Sequence, residues 1–208
     1  SADRVAGIDV SNDGNSVYLT GMTYGSFESL STSGNADILA MKLNASDGSE
    51  VWKKQEGGTG VDVCYDGTID SSENVYCAGR TLSGADFGEV VSGSTYDAFY
   101  GKWNLDGASF VVKQLGITTD NSSSLTNGPI DYDAQDYDTY RDITIDSSGN
   151  IYLAGNTTGN LIQQNANGYP SLHLPLHKTN DIFISKYNSS GVLQWIKQMG
   201  SDGNDRIP

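Results

Sequence analysis

One turn and strand is written three times in this chain: "DSSGNIYLAG" over 146–155, "DSSENVYCAG" over 70–79, and "SNDGNSVYLTG" over 11–21 with one extra residue. Recurrence of this kind constrains a fold more than composition does. Each copy has to be one supersecondary unit that cannot bury its own faces and must stack on its neighbours. Around the hairpin, four short segments recur in fixed order. Strand a reads "AGIDV" (6–10), "YDGTI" (65–69) and "RDITI" (141–145), and strand b reads "VYLTGMT" (17–23), "VYCAGRT" (75–81) and "IYLAGNT" (151–157). After a variable loop, strand c reads "DILAMKLN" (37–44), "DAFYGKWN" (97–104) and "DIFISKYN" (181–188). A second tight turn then leads to strand d, "SEVWKKQEG" (49–57), "ASFVVKQLG" (108–116) and "VLQWIKQMG" (192–200).

Asp3, Asp62, Asp138 and Asp205 hold the same phase just before strand a, so the repeat periods are 59, 76 and 67 residues. No segment sustains an i, i+3, i+4 apolar pattern. Short alternating runs bounded by Gly, Asn, Asp and Ser predict an all-β chain. Four strands per unit of this length predict β-propeller blades, here three four-stranded antiparallel sheets over 1–61, 62–137 and 138–208, the last running into the start of a next repeat. Tyr18, Tyr76 and Tyr152 alternate with Leu19, Cys77 and Leu153 in strand b, so both faces carry large side chains, as a sheet packed on two neighbours requires. Three blades do not close a propeller, which takes four to eight. The sheets are therefore expected to belong to a larger propeller or array, or to complete themselves against other copies of the chain.

The third copy, "DSSGNIYLAGNT" followed by "DIFISKYNSSGVLQW", resembles the bacterial-type beta-propeller repeat called the SBBP repeat, whose pattern is D-x-x-G-N-V-Y-V-x-G-x-T, then D-A-F-V-x-K-L-x-x-x-G-x-x-x-W, then a Gly-rich stretch ending in Asp. The first copy keeps "EVWKKQEGGTGVD" (50–62), whereas the second departs at strand d, with Val111 in place of the Trp. The resemblance implies propeller blades in a secreted or cell-surface protein, and implies no chemistry.

Twenty-six acidic against 12 basic residues give a formal charge of −14. A polyanion gains nothing by neutralising phosphate, which argues against nucleic acid and anionic membrane surfaces as partners. No apolar run reaches the roughly 20 residues of a membrane-spanning helix. Trp52 and Trp195 in strand d, with Tyr18, Tyr76 and Tyr152, read as structural core. The acidic insert over 131–142 holds Asp131, Asp133, Asp136 and Asp138. Its first reading is a solvated loop, and its second a calcium site, because Ca²⁺ takes clustered oxygens, although the EF-hand spacing is absent. No other cofactor is called for.

Cys64 and Cys77 are the only cysteines. A hairpin folded about "SSEN" sets Thr68 opposite Cys77 and leaves Cys64 roughly 13 Å from registry, which favours two free thiols over a disulfide. His173 and His177 flank Pro175 and read as a surface loop. Four glycosylation sequons start at Asn44, Asn121, Asn156 and Asn188, of which Asn44 and Asn188 share the exposed c–d turn. No hydrolase, zinc or phosphate-loop motif occurs, and no catalytic residue is assigned. The sequence points to a non-catalytic extracellular structural or adhesive module, a unit of a larger assembly or filament. The alternative is a propeller that binds a surface glycan or peptide through its long b–c loops. A propeller enzyme, quinone-dependent or glycoside-hydrolysing, ranks last.

Overall fold

A computed structural model describes residues 2–31, 34–82, 96–115, 138–158, 180–201 and 203–207. The first sheet runs in the order β1 (Asp3–Val10), β2 (Ser16–Thr23), β3 (Asp37–Asn44), β4 (Glu50–Glu56). The second is β5 (Val61–Ile69), β6 (Val75–Leu82), β7 (Tyr96–Trp103), β8 (Phe110–Leu115), and the third β9 (Thr139–Ile145), β10 (Ile151–Thr157), β11 (Asp181–Tyr187), β12 (Leu193–Met199). All neighbours pair antiparallel, and the described residues contain no helix. Three propeller-type blades therefore stand side by side without closing a ring.

Strand alternation decides which side chains meet. Val75, Cys77, Phe99, Trp103 and Val112 on one face of the second sheet pack with Tyr18, Ile38 and Ala40 of the first. Tyr76, Ala78, Ala98, Tyr100 and Leu115 on its other face pack with Tyr140, Ile143, Ile151, Leu153 and Phe183 of the third. The core is thus two interfaces between sheets, and the middle sheet contributes to both.

The Gly that closes "YLTG", "YCAG" and "YLAG" has a common cause. Strand a bulges at the same place in each sheet, at Ala6, Tyr65 and Arg141. The bulge pushes a strand-a carbonyl, that of Arg4, Val63 or Thr139, into the space a Cβ would occupy on Gly21, Gly79 or Gly155. A bulge leaves two residues facing one and bends its strand, so the facing position accepts no side chain.

The hairpin register and this bulge together correct the reading of the cysteines. Gly67, not Thr68, lies opposite Cys77, and the extra residue Tyr65 brings Cys64 opposite Gly79. Cys64 and Cys77 are then diagonal neighbours on one face, with Cα atoms 5.8 Å apart, and they form a disulfide. No described cysteine is free. The separation that argued for thiols assumed an unbroken ladder.

One further expectation changes. Trp52 and Trp195 sit at equivalent places, opposite Lys42 and Lys186, but they are half-buried, as is Tyr152; the fully buried indole is Trp103 on β7. Ile196 packs against the core between the second and third sheets. Ile182, Ile184 and Trp195 carry the outer face.

The disulfide closes a separation of 13 residues, for which chain entropy gives about 3 kcal/mol. Cys64→Ser/Cys77→Ser is expected to lower the unfolding free energy by roughly that amount in urea titration. The denatured, unreduced protein should show no thiol to Ellman's reagent.

Candidate functional site

The chemistry of this chain lies where one sheet meets the next, and it begins with the a–b turns. Asp70 Oδ1 accepts the Ser72 and Asn74 N–H groups at 2.9 and 3.0 Å, and its Oδ2 accepts Asn74 Nδ2 at 2.8 Å and Tyr76 Oη at 3.0 Å. Asp146 repeats the pattern with Ser148, Asn150 and Tyr152. Burial pushes Asp70 up, but the donors from Asn74, Tyr76 and Ser72 outweigh it and hold the carboxyl below its usual range; Asp146 is lowered by Asn150 first. These carboxylates are spent on their own turns, which makes them structural caps of the Asx type.

The first turn has Ser11 where the others have Asp. Asp13 takes over the capping, bound by Ser11 Oγ at 2.6 Å and the Asn15 N–H at 2.9 Å, and these bonds bring it down to about 2. Tyr18 is left without a carboxylate in its own turn and donates to Glu73 in the turn of the second sheet. Burial, and then Glu73, raise the Tyr18 hydroxyl well above its ordinary value. Lys42 Nζ lies 3.3 Å from the same Glu73 oxygen and 5.0 Å from the Tyr18 ring centroid. Glu73 adopts φ +58° at the place of Gly14 (φ +72°) and Gly149 (φ +77°). A side chain in left-handed backbone costs about 1 kcal/mol, and here it is held by a cross-sheet link.

Inner-strand carboxylates tie the sheets in the same direction. Asp9 Oδ2 accepts Thr68 Oγ1 at 2.9 Å, and Asp66 Oδ2 accepts the Ile143 N–H at 3.1 Å. Burial, then a hydrogen bond shared with Asp142, raises Asp66. Asp9, Asp70 and Asp146, with Asn12, Ser71 and Ser147, line a polar cleft where the three a–b turns converge. Among the described residues no group of three His, Cys, Asp or Glu side chains is placed to hold a metal ion. A second cluster joins the middle and third sheets: Arg80 lies 4.0 Å from the Tyr96 ring centroid and 5.7 Å from that of Tyr65, and Arg141 packs on Tyr65 at 4.2 Å. Such stacking holds the arginines by cation–π attraction. Nothing in the sequence marked it, because Tyr65 and Arg141 are the bulge residues of their strands.

Asp131, Asp133, Asp136, Asn121, His173 and His177 lie outside the described residues. Asp138 is buried, and its N–H donates to the Tyr96 carbonyl at 2.9 Å. Asn44 is exposed, with Nδ2 on Ser49 Oγ at 2.7 Å, whereas the side-chain oxygen of Asn188 accepts the Ser190 and Val192 N–H groups. Asn156 is buried, and its amide donates to the Asp205 carbonyl at 3.2 Å. Asp97, which opens β7, was not singled out. Its counterparts Asp37 and Asp181 accept Gln55 and Gln198 side-chain amides at 2.7 and 2.8 Å. Asp97 is buried, and burial pushes it up to about 7.

Glu73→Gly supplies the residue the backbone prefers and deletes both cross-sheet partners. We expect a net loss of about 1 kcal/mol in urea titration, since a charge-assisted bond outweighs the relief of left-handed strain. For Asp97 the folded state keeps a proton that the unfolded chain loses near pH 4. Its contribution is complete below about pH 4 and is lost as pH rises to about 7. Asp97→Asn should remove that decline: between pH 4 and 7 the wild type should lose stability relative to the variant by about 1 kcal/mol per pH unit.

No curated protein matches the chain. A family model does, over residues 112–163, and its description is beta-propeller repeat (SBBP). The matched window runs from β8 across the junction into β9 and β10, so it takes strand d of one sheet with strands a and b of the next. Over residues 112–163 the chain is similar to the SBBP beta-propeller repeat.

Proposed function

We propose that this chain is a non-catalytic, extracellular structural or adhesive propeller module whose two outer faces are covered by further blades. One observation carries the reading. The Asp62 N–H donates to the Ala36 carbonyl at 2.8 Å, and the Asp138 N–H to that of Tyr96 at 2.9 Å, so each new blade opens by docking on the strand-c entrance of the previous one. The Asp205 N–H donates to the Asn180 carbonyl at 2.8 Å in the same way. The likeness extends to the side chain: Asp62 Oδ2 accepts the Gly58 N–H at 2.7 Å, and Asp205 Oδ2 the Ser201 N–H at 2.6 Å, each four residues earlier. Residues around Asp205 thus follow the path by which β5 and β9 begin.

The outer faces support the same reading. Val5, Ile8, Val10 and Val51 are exposed on the first sheet, and Ile182, Ile184 and Trp195 are half-buried on the third. Apolar faces of this kind are interaction surfaces. The disulfide fits an oxidising compartment, and the exposed c–d turn at Asn44 suits a glycan.

Sedimentation of the chain over a range of concentrations tests the reading. Self-association with apolar-dye binding is expected. A monomer that binds no dye at high concentration contradicts it. When the chain is secreted from a glycosylating host, peptide mass spectrometry should find Asn44 occupied and Asn156 bare.

A further inference from the structure

We propose that Trp195 is the receptor for the c–d turn of a following blade of this same repeat: a turn that closes on a left-handed glycine and gives a backbone carbonyl to the indole N–H. The inference rests on the module reading above and names what meets its third sheet.

The junction of the first and second sheets shows such a contact complete. Trp52 Nε1 donates to the Leu105 carbonyl at 3.0 Å, in the c–d turn of the second sheet. That turn closes on Gly107 at φ +69°, where a Cβ would lie 3.1 Å from the Trp52 ring. Only glycine allows both the conformation and the approach. Behind the indole stands a fixed support: Tyr18 at 6.4 Å between ring centroids, and Lys42, the strand partner of Trp52, 5.0 Å over the Tyr18 ring.

The third sheet reproduces the support. Tyr152 and Trp195 lie 6.4 Å apart, Lys186 is the strand partner of Trp195, and Lys186 lies 5.0 Å over the Tyr152 ring. The turn is missing. Among the described residues the Trp195 indole N–H has no hydrogen-bond partner. A half-buried indole usually finds one.

The turns give the complementary picture. Gly107 faces Trp52, and a Cβ on Gly191 would lie 3.1 Å from Tyr100 Oη, across the junction where Val111 replaces the Trp. Gly48 closes the turn of the first sheet, which has no sheet before it in this chain, and a Cβ there would meet nothing within 4 Å. Turn glycines thus face the preceding blade wherever one is present. The tie from Asp205 to Asn180 fixes the register in which a following blade would arrive, the one that Asp62 sets for the contact between Trp52 and Gly107.

A tandem protein tests this. Residue 204 of one copy is joined to Asp3 of a second, so that Asp3 takes the phase of Asp205 and the second copy's 44–48 turn comes to Trp195 of the first. A second tandem lacks Ala45, which gives that turn the length of 104–107. Indole N–H exchange is followed by NMR, with Trp195→Phe in either copy for assignment. The first-copy Trp195 should exchange at least tenfold more slowly than in the single chain, the second-copy Trp195 should be unchanged, and Gly48→Val in the second copy should abolish the protection. Unchanged exchange of the first-copy indole in both tandems, with the amides of β11 protected at the new junction, overturns the inference and leaves the module reading standing. Two halves that tumble independently and still bind apolar dye overturn both.

Discussion

Every sheet of this chain is apolar on both faces, and the rest of the structure follows from the need to cover them. Strand alternation usually gives one wet face and one dry face. Here strand b places Tyr76 and Ala78 toward the third sheet while Val75 and Cys77 point toward the first. Burial at about 25 cal/mol per Å² makes each interface the main source of stability, and a single four-stranded sheet has none of it. The repeat is therefore not a domain but half of two interfaces, and the chain writes it again because one copy cannot stand alone.

Charge is organised around the same junctions. The protein holds 26 acidic residues, and several act at the sheets and their junctions: Asp70 and Asp146 cap their turns, Asp9 and Asp66 reach forward to the next sheet, and Glu73 reaches back to the one before. A carboxylate that accepts backbone N–H groups is stabilised as the anion, so an acidic chain with abundant turns is consistent with itself. Burial works against this at Asp66 and Glu56, and most of all at Asp97, which it raises to about 7, a cost that grows toward neutral pH. Lys42, Lys102 and Lys186 lie over the strand-b tyrosines Tyr18, Tyr76 and Tyr152.

The architecture was legible because its signals are periodic. Turn glycines, alternating strands and the phase of Asp62 and Asp138 survive as patterns whatever the packing. What escaped depends on breaks in the pattern. The disulfide between Cys64 and Cys77 was hidden by the hairpin register and by the bulge at Tyr65, which no local signal announces. Trp52 looked like core because of its size; its indole instead reaches past its own sheet to a carbonyl 53 residues away. Glu73 reads as an ordinary turn residue until its turn is set beside Tyr18, whose own turn lacks the usual Asp. The contacts of Trp52 and Glu73 run between copies and the disulfide belongs to one copy alone, whereas a repeat pattern describes only what the copies share.

Native-state hydrogen exchange measures the dependence of one sheet on the next most directly. If burial between sheets holds the fold, the amides of β6, covered on both sides, should exchange only through global unfolding. Those of β2 and β10, each covered on one side within this chain, should open at lower free energy, by about 1–2 kcal/mol on a total of 5–15. Equal protection in all three sheets, or opening of β6 before β2 and β10, would contradict the account.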